Sequence, residues 1–166
     1  MTDSVADTEA IRRYVASIYA ALSFREGGQP NWDMLRGLFW PQAQIVEIRR
    51  GETTSHTPAE FIAALRSRIA HGELRAMQDR ETGATIKAQG DLAQVFSPFE
   101  GRRDAATVRG VNAFQLARQG GRWLCLSILR SEEPARNEER RVLPAVAPPD
   151  RPPPRRPGGP PPRYRR

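Results

Sequence analysis

The sequence predicts an α+β domain over residues 1–133, followed by an arginine- and proline-rich tail over residues 134–166 that stays disordered. Two observations point to the domain. Apolar residues recur every three or four positions through the helical first half, and the period changes to two from Leu74 onward. A third observation sets its limit: the tail holds 11 of the 15 prolines and almost no apolar residues besides Val142, Leu143 and Val146, too few to offset chain entropy.

The first helix is announced by Ser4 with Asp7 three residues on, an arrangement resembling a capping box, and by Ile11, Val15, Ile18 and Leu22 on one face. Gly27, Gly28 and Pro30 stop it. Asn31 is placed to cap a short second helix with Trp32, Leu35, Leu38 and Phe39 as its apolar positions, closed by Pro41. Residues Ala43 to Arg49, rich in Ile and Val, read as a strand. A polar loop from Arg50 to Ser55 leads to Thr57, Pro58 and Glu60, a cap, a first-turn proline and an acidic third position. They begin a third helix with Phe61, Leu65 and Ile69 inward, ended by Gly72. Breaks at Gly90-Asp91, Gly101 to Asp104 and Gly120-Gly121 divide the remainder into strands of about 74–89, 92–101, 106–118 and 122–132. The predicted order is α-α-β-α-β-β-β-β, with three helices packed on a curved, mostly antiparallel sheet.

The formal charge of +7 suggests a polyanion partner until it is divided at Pro134. The tail carries nine arginines against three acids, whereas the rest of the chain has a net charge of +1. Any attraction for an acidic partner therefore belongs to the tail, where Pro149–Pro152 and Pro154–Pro157 are candidate docking motifs. Direct nucleic-acid binding is disfavoured, because Tyr164 is the tail's one aromatic residue. Cys125 is the single cysteine, which excludes an internal disulfide. The acidic, polar N-terminus does not read as a signal peptide, and no apolar run approaches a membrane span, so a cytoplasmic protein with no membrane association is expected.

Several local sequences carry a resemblance to a known family. RRYVASIYAAL in the first helix, WDMLRGLFWPQAQI leading into the first strand and RGVNAFQLARQGGRWLCLSIL in the last hairpin resemble the SnoaL-like, NTF2-like superfamily, the ketosteroid-isomerase-like α+β cone. The resemblance implies a sheet wrapped around the long helix, with a ligand pocket at the open end of the cone. It also implies a homodimer formed through the sheet, and no cofactor. Laid beside the ketosteroid isomerase pattern, RYVA puts Tyr14 at a phenolic oxyanion donor, LFWPQAQIVE puts Glu47 at the base, and VNAF puts Asn112 at a second oxyanion donor.

Such a trio implies proton transfer next to a carbonyl: a carboxylate removes an α-proton while two donors hold the developing enolate. Ketosteroid isomerase is itself a standard worked case of this arrangement, with a protonated aspartic acid where this chain has Asn112. An amide donates at every pH, and Glu47 is one methylene longer than aspartate. The expected ligand is a small apolar or carbonyl-containing molecule, and the expected chemistry is of isomerase, cyclase or dehydratase type. A non-catalytic dimerisation module with a basic tail is the alternative.

Each residue also has a plain structural reading. Tyr14 sits beside the apolar helix face as a core tyrosine would, and the alternation around Glu47 leaves open which side of its strand is inside. Asn112, in an otherwise apolar strand, most needs a partner. Trp32, His56, Ser97 and Trp123 are the further candidate ligand contacts. His56 and His71, fifteen residues apart, match no compact metal-ligand spacing, so no metal is expected.

Overall fold

Ile11, Val15, Ile18 and Leu22 form one stripe of helix α1 (Asp3–Leu22), each 6% exposed or less, with Tyr19 buried beside them. The helix already contains Asp3 and Ser4, so Ser4 is not its cap. The computed structural model describes residues 3–133, and the chain divides at Ala135 into two units. The expectations of a disordered tail, its docking motifs and its acidic partner lie outside the described residues.

Asn31 caps α2 (Trp32–Leu38) as expected, its side chain accepting from the Met34 amide at 3.0 Å. Strand β1 (Phe39–Arg49) follows at once, four residues ahead of the predicted start at Ala43. Pro41 lies inside the strand, where the pairing register shifts between Phe39 and Gln44. Such an irregularity is where a strand tolerates proline.

The segment read as a polar loop contains a second strand, β2 (Glu52–His56), paired antiparallel with β1. Four of its five residues are exposed, so no apolar alternation marks it. Its cause is the turn: Arg50 and Gly51 take φ values of 51° and 82°, the left-handed pair that matches hairpin twist. Thr57 and Glu60 then form the expected reciprocal capping box of α3 (Pro58–Ala70), which buries Ile62 and Leu65 and half-buries Phe61 and Ile69. His71 caps its C-terminus and Gly72 turns the chain at φ 72°.

The predicted strand over 74–89 is two strands, β3 (Met77–Glu81) and β4 (Thr85–Gln89). Both pair with β5 (Leu92–Arg103), over successive stretches, so the chain must step at 82–84 to reach the second. Strands β6 (Ala106–Gln119) and β7 (Arg122–Glu132) complete the meander. The sheet order is β2-β1-β7-β6-β5-β3, with β4 also on β5, and every pair is antiparallel except β1 with β7. Three helices over this curved sheet give the predicted α+β cone. Among the described residues no helix is long and apolar enough to cross a membrane.

Cross-strand register decides what the cone encloses. Ile45, Ile128, Phe114 and Val95 align across β1, β7, β6 and β5, and all are buried in the core that includes the apolar stripe of α1. Two residues further along the same face the row is Glu47, Arg130, Asn112 and Ser97. The inner wall thus turns from wholly apolar to wholly polar in one step.

Candidate functional site

A polar row on a buried sheet face must find partners, since unpaired groups there carry their full desolvation cost. Ser97, fully buried, donates to the Glu81 carboxylate at 2.5 Å. Tyr19 reaches down from α1, and its hydroxyl lies 2.8 Å from Ser97 Oγ and 2.9 Å from Asn112 Nδ2. Phe99 and Phe114 wall its ring at centroid distances of 6.4 and 6.3 Å. Because the carboxylate of Glu81 only accepts, Ser97 spends its proton there and Tyr19 donates to Ser97. The result is a directed chain, Asn112 to Tyr19 to Ser97 to Glu81. Its free end is Asn112 Oδ1, a buried acceptor with no hydrogen-bond partner among the described residues. Burial raises the Tyr19 pKa above the usual phenol value, partly offset by its bonds to Ser97 and Asn112.

Beside this chain lies an ionic lattice. Asp79, whose side chain is wholly buried, takes a bidentate pair from Arg103 at 2.5 and 2.8 Å and a third contact from Arg130 at 3.2 Å. A methyl at Gly101 would collide with the Asp79 carboxylate, so the glycine makes room for the pair. Arg130 also donates to Glu132 at 2.8 and 3.1 Å and rests over the Phe99 ring at 4.4 Å. Arg49 joins Glu132 at 3.5 Å to Glu47 at 3.1 Å. Burial works to lower the Arg130 pKa, yet Asp79 and Glu132 outweigh it and the net shift is upward.

Burial likewise pushes the Glu132 carboxyl up, but Arg130, Arg49 and Arg103 prevail and hold it below its ordinary value. A lowered carboxyl pKa stabilises the fold fully above the unfolded value of about 4.3, and that contribution is lost as pH falls through the folded value. The urea midpoint is therefore expected to drop between pH 6 and pH 3.5, and to drop less in Glu132→Gln. An identical pH dependence in that variant would contradict the lattice.

Of the residues singled out from sequence, Glu47, Asn112 and Ser97 share this row. The face of Glu47, left open by alternation, is the inner one. Tyr14 is not brought to them: its hydroxyl donates to the Leu38 carbonyl at the end of α2, and burial raises its pKa. Tyr14 and Tyr19 are five residues apart, about 7.5 Å along a helix axis. Trp32 donates to Gln29 at 3.0 Å beneath the Arg66 guanidinium, and Trp123 lies under Arg118 at the β6–β7 turn. His56 pairs with Ile45 on the edge strand and acts electrostatically on Glu60, while His71 closes α3 through the Ser67 carbonyl. Sequence reasoning missed Tyr19, Glu81, Arg103, Arg130 and Glu132. Tyr19 had a signal, since it stands four residues after Val15 on the buried stripe.

Three surface grooves among the described residues lie apart from the polar row. One of about 510 Å³ runs over the outer sheet face between Lys87, Phe96 and Leu129, another of about 410 Å³ lies between Trp40 and α3, and a third of about 320 Å³ adjoins Leu124. The polar band meets solvent at Glu81, half-buried, and at Glu47, whose side chain is 20% exposed.

No protein-family model matches the sequence, and no curated protein matches it. Solved structures do match. An NTF2-like protein of unknown function from Shewanella baltica aligns with 79% of this chain and 97% of its own, at 14% identity and a TM-score of 0.57. The Kfla4162 protein of Kribbella flavida aligns over 81% and 95%, at 16% identity and TM-score 0.65. The hexachlorocyclohexane dehydrochlorinase LinA-type3 of Novosphingobium barchaimii aligns over 81% and 91%, at 11% identity and TM-score 0.64. At such identities the likeness establishes the fold, an NTF2-like cone.

Proposed function

We propose, with an NTF2-like cone as the premise, that the protein binds a small, largely apolar molecule at the polar end of its cone and moves a proton there, in the manner of an isomerase, cyclase or dehydratase. The observation that carries this reading is the directed chain from Asn112 through Tyr19 and Ser97 to Glu81. A proton passed to the Tyr19 oxygen is matched by Tyr19 giving its own to Ser97 and Ser97 giving its own to Glu81. The ligand loses one proton, and the carboxylate becomes a carboxylic acid. Glu81, only half-buried, returns that proton to water. Entry is at the Glu47 end of the row, where that side chain swings aside while the Ser97–Glu81 contact stays in place. Tyr14 takes no part. That a dehydrochlorinase shares the architecture supports small-molecule chemistry on this scaffold but lends no residues.

The test is solvent deuterium uptake into 2-indanone and 2-decalone, together with water loss from the matching alcohols, by the parent protein and Glu81→Gln. General-base transfer is worth about 10²–10⁴ in rate, and the variant is expected to lose about that factor on whichever reaction is catalysed. Equal rates would overturn the assignment.

A second reading is favoured by the opposite face. Phe96 and Leu129 align across β5, β6 and β7 through Ala113, and both remain exposed, at 57% and 43%, with Ile48 near them on β1 at 36%. An uncharged centre rimmed by Lys87 and by the Arg80–Glu100–Arg109 ion pairs suits a second copy of this chain, without excluding the cone chemistry. Sedimentation is expected to give a dimer for the parent and a monomer for Phe96→Glu with Leu129→Glu; a parent that stays monomeric at high micromolar concentration would contradict it.

A further inference from the structure

Counting donors and acceptors along the buried chain sets what its free end can recognise. Glu81 takes the one proton of Ser97, Ser97 takes the one proton of Tyr19, and the Tyr19 oxygen accepts from Asn112 Nδ2. Two capacities are left over at Asn112: the second amide hydrogen, and the whole acceptor capacity of Oδ1. With Glu81 as a carboxylate, turning the amide over does not cure this. Tyr19 would then donate to Oδ1, and the oxygens of Tyr19 and Ser97 would face each other at 2.8 Å with no proton between them. Arg130, the cross-strand neighbour of Asn112, turns Nε and Nη2 to Asp79 and Glu132 rather than to Oδ1. The residue is 3% exposed, so bulk water does not serve it.

We infer that Asn112 Oδ1 is the recognition point for a hydroxyl group, so that the ligand class is an alcohol on an apolar frame. The inference rests on the binding site proposed above and narrows its ligand from apolar or carbonyl compounds in general. A hydroxyl donates to Oδ1 and accepts the second Nδ2 hydrogen with a lone pair, filling both capacities. A ketone fills only the second and leaves Oδ1 unpaired. Charge points the same way. The band holds four carboxylates, Glu47, Asp79, Glu81 and Glu132, against three guanidiniums, Arg49, Arg103 and Arg130, so an anionic ligand is disfavoured and a neutral donor accommodated.

The experiment titrates 2-decalol against 2-decalone and 2-indanol against 2-indanone into ¹⁵N-labelled full-length protein, following the Asn112 side-chain amide resonances. Each alcohol is expected to bind about three- to tenfold tighter than its ketone, the worth of one neutral hydrogen bond. That preference is expected to fall to about unity in Asn112→Leu, with a melting curve confirming that the variant is folded. Should the variant not fold, the alcohol-to-ketone ratio in the parent decides the matter. Ketones binding as tightly as alcohols while shifting Asn112 would overturn the inference and leave the cone site standing. No shift with any of the four compounds would overturn both.

Discussion

Asp79→Ala is expected to destabilise the domain by about 3–5 kcal/mol, the range found when one partner of a buried ion pair is removed. The reason is what it leaves behind. Arg103 and Arg130, with side chains 16% and 11% exposed, both converge on the Asp79 carboxylate, and without it two guanidiniums share a pocket with Glu132 alone. Coulomb attraction within the native cluster offsets a desolvation cost of similar size, so the lattice as a whole adds little stability although each member is hard to delete. Replacing Arg103 and Arg130 by methionine in the Asp79→Ala background is therefore expected to recover part of the loss. Urea unfolding followed by the fluorescence of Trp32 and Trp123 measures both steps, each indole being buried. A single-variant loss below about 1 kcal/mol, the range of surface pairs, would mean that the three side chains do not share a dry site.

Tyr19→Phe is expected to cut proton transfer by about 10²-fold or more, whereas Tyr14→Phe leaves it within a few-fold of the parent. Both variants cost stability. Losing the Tyr19 hydroxyl strands Ser97 Oγ without a donor and Asn112 Nδ2 without an acceptor, and losing the Tyr14 hydroxyl strands the Leu38 carbonyl, each worth roughly 1–3 kcal/mol. A matched pair of destabilised tyrosine variants thus separates folding from function. If Tyr14→Phe were the one to lose transfer, the site would lie at the α2–β1 junction rather than at the polar end of the cone.

The helices and the last hairpin were legible because their signals are local. Asn31 and Thr57 cap the helices they precede, and the glycine pair at 120–121 turns the hairpin. Strand β2 was not legible, since an exposed edge strand needs no apolar alternation and owes its pairing to the Arg50-Gly51 turn. The single span 74–89 failed for a different reason: β3 and β4 differ only in which part of β5 they meet.

The site was half legible. Asn112 and Ser97 are polar residues on the buried parity of their strands, alternating with Phe114 and Leu116 and with Val95 and Phe99. Arg130 was hidden by geometry that the sequence does not display. Register shifts in β7 between Cys125 and Ser127, so Trp123 and Cys125 face inward at odd numbers and Ile128, Arg130 and Glu132 at even ones. Only the bulge places an arginine beside Asn112. Tyr14 stands in the short segment that resembles the ketosteroid isomerase pattern, whereas the buried stripe of α1 runs through Val15, Ile18, Tyr19 and Leu22.

The central claim is that Asn112, Tyr19, Ser97 and Glu81 act as one connected chain. A double-mutant cycle on unfolding free energy between Tyr19→Phe and Glu81→Gln tests it most directly, because Ser97 is the hydrogen-bonded link between the two side chains, added to the electrostatic effect of Glu81 on Tyr19. The chain predicts a coupling of about 1 kcal/mol, with Tyr14→Phe and Glu81→Gln additive to within about 0.5 kcal/mol. Additivity in the first pair, or coupling in the second, would contradict it.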